Sequence, residues 1–356
     1  MPKIRWISYM NLDVIHWFIV SIVVKLHIIF NNGERNNMKL WHPTSENIWQ
    51  GRNDLAEADN ALRVFQTIKQ PANFSPEEFP HHIALLGFEC DEGVKLNHGR
   101  PGAKLGPEYL RQSLANMASY DGHEQLVDLG NIRADTEKLA EAQNALSDAV
   151  YECQHQNMRT LIFGGGHETA FAHGMGIYRA FPTQRVGIIN FDAHLDLRNS
   201  PQPTSGTPFR QLADYCQQHQ RPFNYTCIGA SLASNTQALL DEANHLDVTI
   251  IWDTQCIESM LDKVQEQIQD VINQVDIIYM TIDLDVLPIW QMPSVSAPAA
   301  LGVPLERLLP LIQLICQSKK LQAVDLVELN PLYDIQGMGG KAAARLAWQL
   351  VHWWNG

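Results

Sequence analysis

The chain has 356 residues, 45% of them apolar and 18% charged, the balance of a folded globular protein rather than a disordered one. Its formal net charge of -13 argues against nucleic acid and anionic membrane surfaces as partners. The six cysteines, Cys90, Cys153, Cys216, Cys227, Cys256 and Cys316, form neither a C-x-x-C pair nor a disulfide framework, so reduced thiols in a cytoplasmic protein are expected.

In chain order, Val14 to Phe30 is an apolar run broken by His16, Lys25 and His27 and followed by a polar stretch from Asn31 to Asn37. A membrane span needs about 20 predominantly apolar residues, and no small-residue cleavage site follows the run. Residues 1–37 are therefore expected to be an N-terminal extension outside the fold, and 38–356 a single catalytic domain. The spacing of Leu55, Ala58, Leu62 and Phe65 predicts a helix over Leu55 to Gln70, with a loop from Pro71 to Pro80. His82 to Phe88 reads as a first buried strand, and the Gly/Pro-rich loop from Asn97 enters a helix at about Pro107.

Further strands are predicted at Leu126–Gly130, Thr160–Phe163, Val186–Phe191, Tyr225–Gly229, Val248–Trp252, Ile277–Ile282 and Leu321–Glu328. Helical segments are predicted at Thr136–Asn157, Gly174–Phe181, Ser234–Leu246 and Lys341–Trp354. Strands that alternate with helices, and are apolar along their whole length, imply an α/β fold with a mostly parallel sheet covered on both faces. Ligands in such folds bind beyond the C-terminal strand ends.

Three of those ends carry chemistry. The run R-V-G-I-I-N-F-D-A-H-L-D-L-R delivers Asp192, His194 and Asp196 two residues apart, on one side of an extended chain. Ile277–Ile282 delivers Asp283 and Asp285 in the same way, and Thr160–Phe163 leads into Gly164-Gly165-Gly166-His167-Glu168. Four carboxylates and two imidazoles match two dications, and oxygen-rich ligation suits Mn²⁺ better than structural Zn²⁺. Two such ions about 3.5–4 Å apart can share a water and lower its pKa, which implies hydrolysis at an electrophilic carbon. The remaining histidines, His173 among them, have no partner pattern, and Trp348, Trp353 and Trp354 read as core or subunit-contact residues, which leaves a homo-oligomer open.

The combination G-G-G-H, D-A-H-L-D and T-I-D-L-D resembles the ureohydrolases, the family of arginase, agmatinase and formimidoylglutamase, from about Asn97 to the C-terminal helix. That resemblance implies a three-layer α/β/α fold with about eight strands. It also implies one Mn²⁺ on His167, Asp192, Asp196 and Asp283 and a second on Asp192, His194, Asp283 and Asp285, two per subunit. Asp196 would relay a proton to the leaving nitrogen, and Glu328 in D-L-V-E-L-N-P would face the cationic group of the substrate.

Arg198 in D-A-H-L-D-L-R, Ser205 in S-G-T-P-F, and Phe209 where arginases carry His are similar to the formimidoylglutamase subgroup. A guanidinium at Arg198 can grip a carboxylate bidentately, as a glutamate derivative requires. Ser205 and Arg100 are further candidate substrate contacts. The resemblance thus implies a small-molecule substrate, N-formimidoyl-L-glutamate, cleaved to L-glutamate and formamide in histidine degradation. Alternatives are a ureohydrolase that releases urea from a guanidino acid and a metal-binding scaffold without turnover.

Overall fold

Eight strands make the body of the sheet; seven have largely apolar interiors buried almost without interruption, as expected of strands covered on both sides, while the edge strand Thr249–Trp252 buries only Ile251. The eight are β2 (Ile83–Glu89), β3 (Leu126–Arg133), β4 (Arg159–Phe163), β5 (Val186–Phe191), β6 (Asn224–Ala230), β7 (Thr249–Trp252), β8 (Ile277–Asp283) and β9 (Leu321–Val327). All are parallel, and a two-residue strand β1 (Trp41–His42) adds an antiparallel edge to β3, so among the described residues the sheet has nine strands in the order β1-β3-β2-β4-β9-β8-β5-β6-β7. The computed structural model describes residues 38–120, 122–134 and 138–355. The extension expected over residues 1–37 lies outside the described residues.

Two successions of helices accompany the sheet. One comprises α2 (Leu139–His155), α3 (Thr169–Ala180) and α4 (Pro208–Gln218), each packed on the next. The other links α1 (Gly106–Ala115), α8 (Met338–Asn355), α7 (Leu305–Gln317) and α6 (Leu261–Gln274) in the same way, and α5 (Gln237–His245) lies between β6 and β7 in the chain. Pro107 stands in the first turn of α1, where its missing N–H costs no hydrogen bond. The Trp354 ring is buried in the core with its indole donating to Leu321 O. Among the described residues no helix is long and apolar enough to cross a membrane, and all six cysteines are buried free thiols.

The helix expected from Leu55 to Gln70 does not form; only Val64–Thr67 makes a helical turn. Leu55 is exposed rather than buried. The acids and amides at 53, 54, 59 and 60 compete with helical hydrogen bonding: Asn53 accepts the Leu55 N–H, and Asp54 is drawn to Arg63. The helix expected from Gly174 begins five residues earlier, at Thr169, directly after the glycine loop.

Chain order and spatial order part at the middle of the sheet. After β4 the chain passes to β5 on the other half, and β8 and β9 later fill the gap between them. The strands that end in His167, Glu328, Asp283 and Asp192 are thereby four adjacent central strands, β4-β9-β8-β5. Phe191 is paired with Ile282, so Asp192 and Asp283 leave the sheet side by side.

Candidate metal centre

The glycines before His167 are required by close approach. A Cβ on Gly165 would lie 1.7 Å from Cys90 O, and Gly165 O accepts the Glu328 N–H at 2.8 Å. The loop is thus wedged between the ends of β2 and β9, and it turns the His167 ring toward the ends of β5 and β8.

His167 Nδ1 lies 3.2 Å from Asp192 Oδ2, 2.9 Å from Asp196 Oδ2 and 3.1 Å from Asp283 Oδ2. One ring nitrogen cannot donate to three carboxylates, and none of the three contacts has hydrogen-bond geometry. Four buried or nearly buried donor atoms converge instead on a common point, as the ligands of one cation do. A second group adjoins it: His194 Nδ1 lies 3.0 Å from Asp285 Oδ2 and 3.5 Å from Asp192 Oδ1. The ligand atoms of each group lie within 4.8 Å of one another. Asp192 joins the groups through its two oxygens. Asp283 stands in the first group alone, and its Oδ1 accepts the Asp285 N–H at 2.8 Å.

Electrostatics show what the arrangement lacks without cations. Burial and the neighbouring charges of Asp285 and Asp192 push the Asp283 carboxyl well above its usual range. Burial and Asp192 raise Asp196 as well. The charge of Asp285 pushes the His194 imidazole up to about 12. Burial opposes a charge on His167, but the carboxylates of Asp192, Asp196 and Asp283 gathered around Nδ1 outweigh it and hold its imidazole well above the usual value. Four acids in one dry site therefore call for positive charge, which two dications would supply in full. The donor set fits a metal site.

Around this centre Phe209 is fully buried, its ring edge-on to His167 at 5.3 Å between centroids. It forms an apolar wall where an ionisable group would add charge. Glu328 projects from the end of β9 with φ at +69°, and Asp196 has φ at +47°. Glu328 Oε1 accepts the His167 N–H at 2.8 Å, while its buried Oε2 has no hydrogen-bond partner among the described residues. Burial and the charges of Asp283 and Glu168 push this carboxyl well above its usual range. Glu168, to which no role attaches from sequence, is fully buried, accepts the Gly93 N–H at 2.8 Å, and is pushed by burial up to about 7.

Arg198 is exposed at the rim. Its backbone N–H donates to Gly206 O at 2.9 Å, and its side chain lies so close to Gly206 that a Cβ there would be 2.8 Å from Arg198 Cδ. Ser205 sits buried in the same turn. The Arg198 guanidinium makes no hydrogen bond or ion pair with any described residue, which leaves its donors for a ligand. Arg100 differs: its Nε donates to Ser296 O at 2.9 Å, its Nη2 donates to Val295 O, and its guanidinium stacks on Tyr333 at 4.1 Å. What Arg100 visibly does is tie the loop after β2 to the loop after β8.

Comparison with known proteins agrees with this architecture. A sequence profile of the arginase family matches residues 81–352. Formimidoylglutamase of Photorhabdus laumondii subsp. laumondii is 79% identical over 317 residues, 89% of this chain and 100% of that protein. Formimidoylglutamase of Enterobacter sp. (strain 638) is 58% identical with the same coverage. Among solved structures, Trypanosoma cruzi formiminoglutamase with Mn²⁺ superposes with a TM-score of 0.73 at 25% identity, covering 83% of this chain and 99% of that one. The paired ligand groups at the centre of a parallel sheet and a match across most of the chain lead to one assignment: the chain belongs to the arginase family.

Proposed function

We propose that the chain hydrolyses N-formimidoyl-L-glutamate to L-glutamate and formamide, a step of histidine degradation, using two Mn²⁺ ions per subunit. The observation that carries this reading is Asp192, whose two oxygens serve two separate ligand groups, next to a buried Glu328 oxygen without a partner. His167, Asp192, Asp196 and Asp283 would hold one ion, and Asp192, His194 and Asp285 the other, which Asp283 would join only by turning its Oδ1 from the Asp285 N–H. The two ions would supply hydroxide at neutral pH and draw electron density from the reacting amidine.

The chain's own residues do the rest. A protonated formimidoyl group is a planar cation with N–H donors, and the free Glu328 Oε2 offers it an acceptor and a compensating charge. Asp196 stands at the less buried edge of the first ligand group, its side chain 12% exposed, where it can pass a proton to the departing α-amino nitrogen. Water oxygen ends on the formamide carbon, and the bond from that carbon to the glutamate nitrogen breaks. At the rim, Arg198 binds the substrate carboxylates, and Ser205 in the adjoining turn lines the same entrance. Arg100 acts through the loops it ties together and has Nη1 left for a substrate carboxylate. The 79% and 58% identity to formimidoylglutamases supports this substrate over a guanidino acid. Residues 38–356 would form the catalytic domain of a cytoplasmic enzyme.

Treatment with a chelator should abolish turnover, and Mn²⁺ should restore it with equal release of formamide and L-glutamate. Urea from a guanidino acid in place of formamide would reassign the substrate, and a Mn²⁺-loaded chain inert toward the whole panel would reduce it to a scaffold. Arg198→Ala should raise KM for formimidoylglutamate by about 10- to 100-fold, the range expected for losing one charge-assisted contact, with a smaller change in kcat. Unchanged steady-state kinetics would remove Arg198 from substrate binding.

A further inference from the structure

Behind His167 runs a chain of buried polar side chains that does not face the substrate. His167 Nε2 lies 3.1 Å from Thr281 Oγ1, and Thr281 Oγ1 donates to Asp325 Oδ1. Asp325 Oδ2 accepts from Tyr279 OH at 2.6 Å and faces His173 Nδ1 at 2.7 Å. His173 Nε2 meets Thr160 Oγ1 at 2.8 Å, and Gln154 Nε2 donates to that same hydroxyl at 3.1 Å. Thr160, His173, Tyr279, Thr281 and Asp325 are fully buried. The strand pairing Thr281↔Asp325 places the central link, and Thr281 shares a face of β8 with Asp283 two residues on.

The donors and acceptors in this chain can run in one direction only. A threonine hydroxyl has a single hydrogen, and Thr281 uses it on the Asp325 carboxylate, so toward His167 it can only accept. When a cation displaces the Nδ1 proton, the one proton left on His167 therefore sits on Nε2, and the lone pair lies on Nδ1, the atom ringed by Asp192, Asp196 and Asp283. His173 is oriented likewise: Nδ1–H donates to Asp325, and Nε2 accepts from Thr160, whose own oxygen is supplied by Gln154. A buried carboxylate with three donors is fully satisfied and has little freedom to turn.

We propose that Thr281 and Asp325, backed by His173, are positioning residues that set the tautomer and ring orientation of His167 so that Nδ1 presents its lone pair to a cation. The proposal rests on reading the neighbouring carboxylates as a metal centre. It assigns no contact with substrate to any of the three. Groups that orient a ligating imidazole from behind typically contribute about 10- to 100-fold in metal affinity.

The test is Mn²⁺ binding to the chelator-stripped full chain, followed through the electron paramagnetic resonance signal of the free ion, with circular dichroism melts to confirm folding. Wild type is expected to take up two ions. Thr281→Val keeps the shape but removes the hydroxyl, and should weaken one of the two ions by about 10- to 100-fold, whereas Thr281→Ser should restore wild-type binding. Asp325→Asn turns an acceptor into a donor and should weaken the same ion; it decides the matter should Thr281→Val lose its cooperative melt. Wild-type affinity for both ions in folded Thr281→Val or Asp325→Asn overturns the proposal, as does equal weakening by Thr281→Val and Thr281→Ser. A wild-type chain that takes up no Mn²⁺ overturns instead the reading of the site on which the proposal rests.

Discussion

Asp283→Ala is expected to yield a folded chain that retains less than one tightly bound Mn²⁺ and releases no measurable formamide. The Asp283 Oδ2 atom lies 3.1 Å from His167 Nδ1, and its Oδ1 caps the turn that carries Asp285. Alanine therefore opens the first ligand group and frees a ligand of the second. Polarisation of a reacting group by a bound dication is worth several kcal/mol, so kcat should fall by at least about a thousandfold. The metal-free variant should melt no lower than metal-free wild type, because burial and the charges of Asp285 and Asp192 already disfavour this carboxylate. Elemental analysis after gel filtration, together with a formamide assay, checks the outcome; two retained ions with wild-type kcat would remove Asp283 from the site.

The second large effect is on stability. Arg111 on α1 is fully buried and bidentate to Asp128 on β3, with Nε and Nη2 each 2.9 Å from a carboxylate oxygen. Its Nη1 donates to Asn131 Oδ1 at 2.8 Å, and Trp49 donates to the same Asp128 carboxylate at 2.7 Å. One ion pair thus ties a helix, a strand and the segment before the sheet. Arg111→Met fills a similar volume but strands the carboxylate, and should cost about 3–5 kcal/mol. For a domain of this size that lowers the melting temperature by on the order of 10 °C. Asp128→Asn in the Arg111→Met background should recover part of the loss, because the stranded charge causes most of it. A melt unchanged in Arg111→Met would show that the pair contributes nothing to stability.

The parallel strands were legible because each is a short apolar run between turn signals, a property of neighbouring residues. Most of their ends are accurate to about one residue, as where β5 closes at Phe191 and β9 at Val327, directly before the functional segments, but β3 runs on from the expected Gly130 to Arg133. The segment from Leu55 misled because helical spacing persisted there while its acids and amides made turns. Arg100 was a candidate substrate contact through the resemblance, yet two of its three nitrogens donate to the carbonyls of Val295 and Ser296, nearly two hundred positions away. His173 carried no signal at all, since its meaning comes from Asp325 on another strand.

The sequence by itself determined which side chains leave each strand on one side, because alternation along an extended backbone is local. It thereby marked Asp192, His194, Asp196, Asp283, Asp285 and His167 as a group. Only the tertiary structure decided that β4, β9, β8 and β5 are neighbours, that Asp192 links two ligand groups while Asp283 serves one, and that Thr281 and Asp325 stand behind His167. Those facts depend on strand order and register, which are set by packing between residues far apart in the chain and leave no periodic trace in the residues themselves.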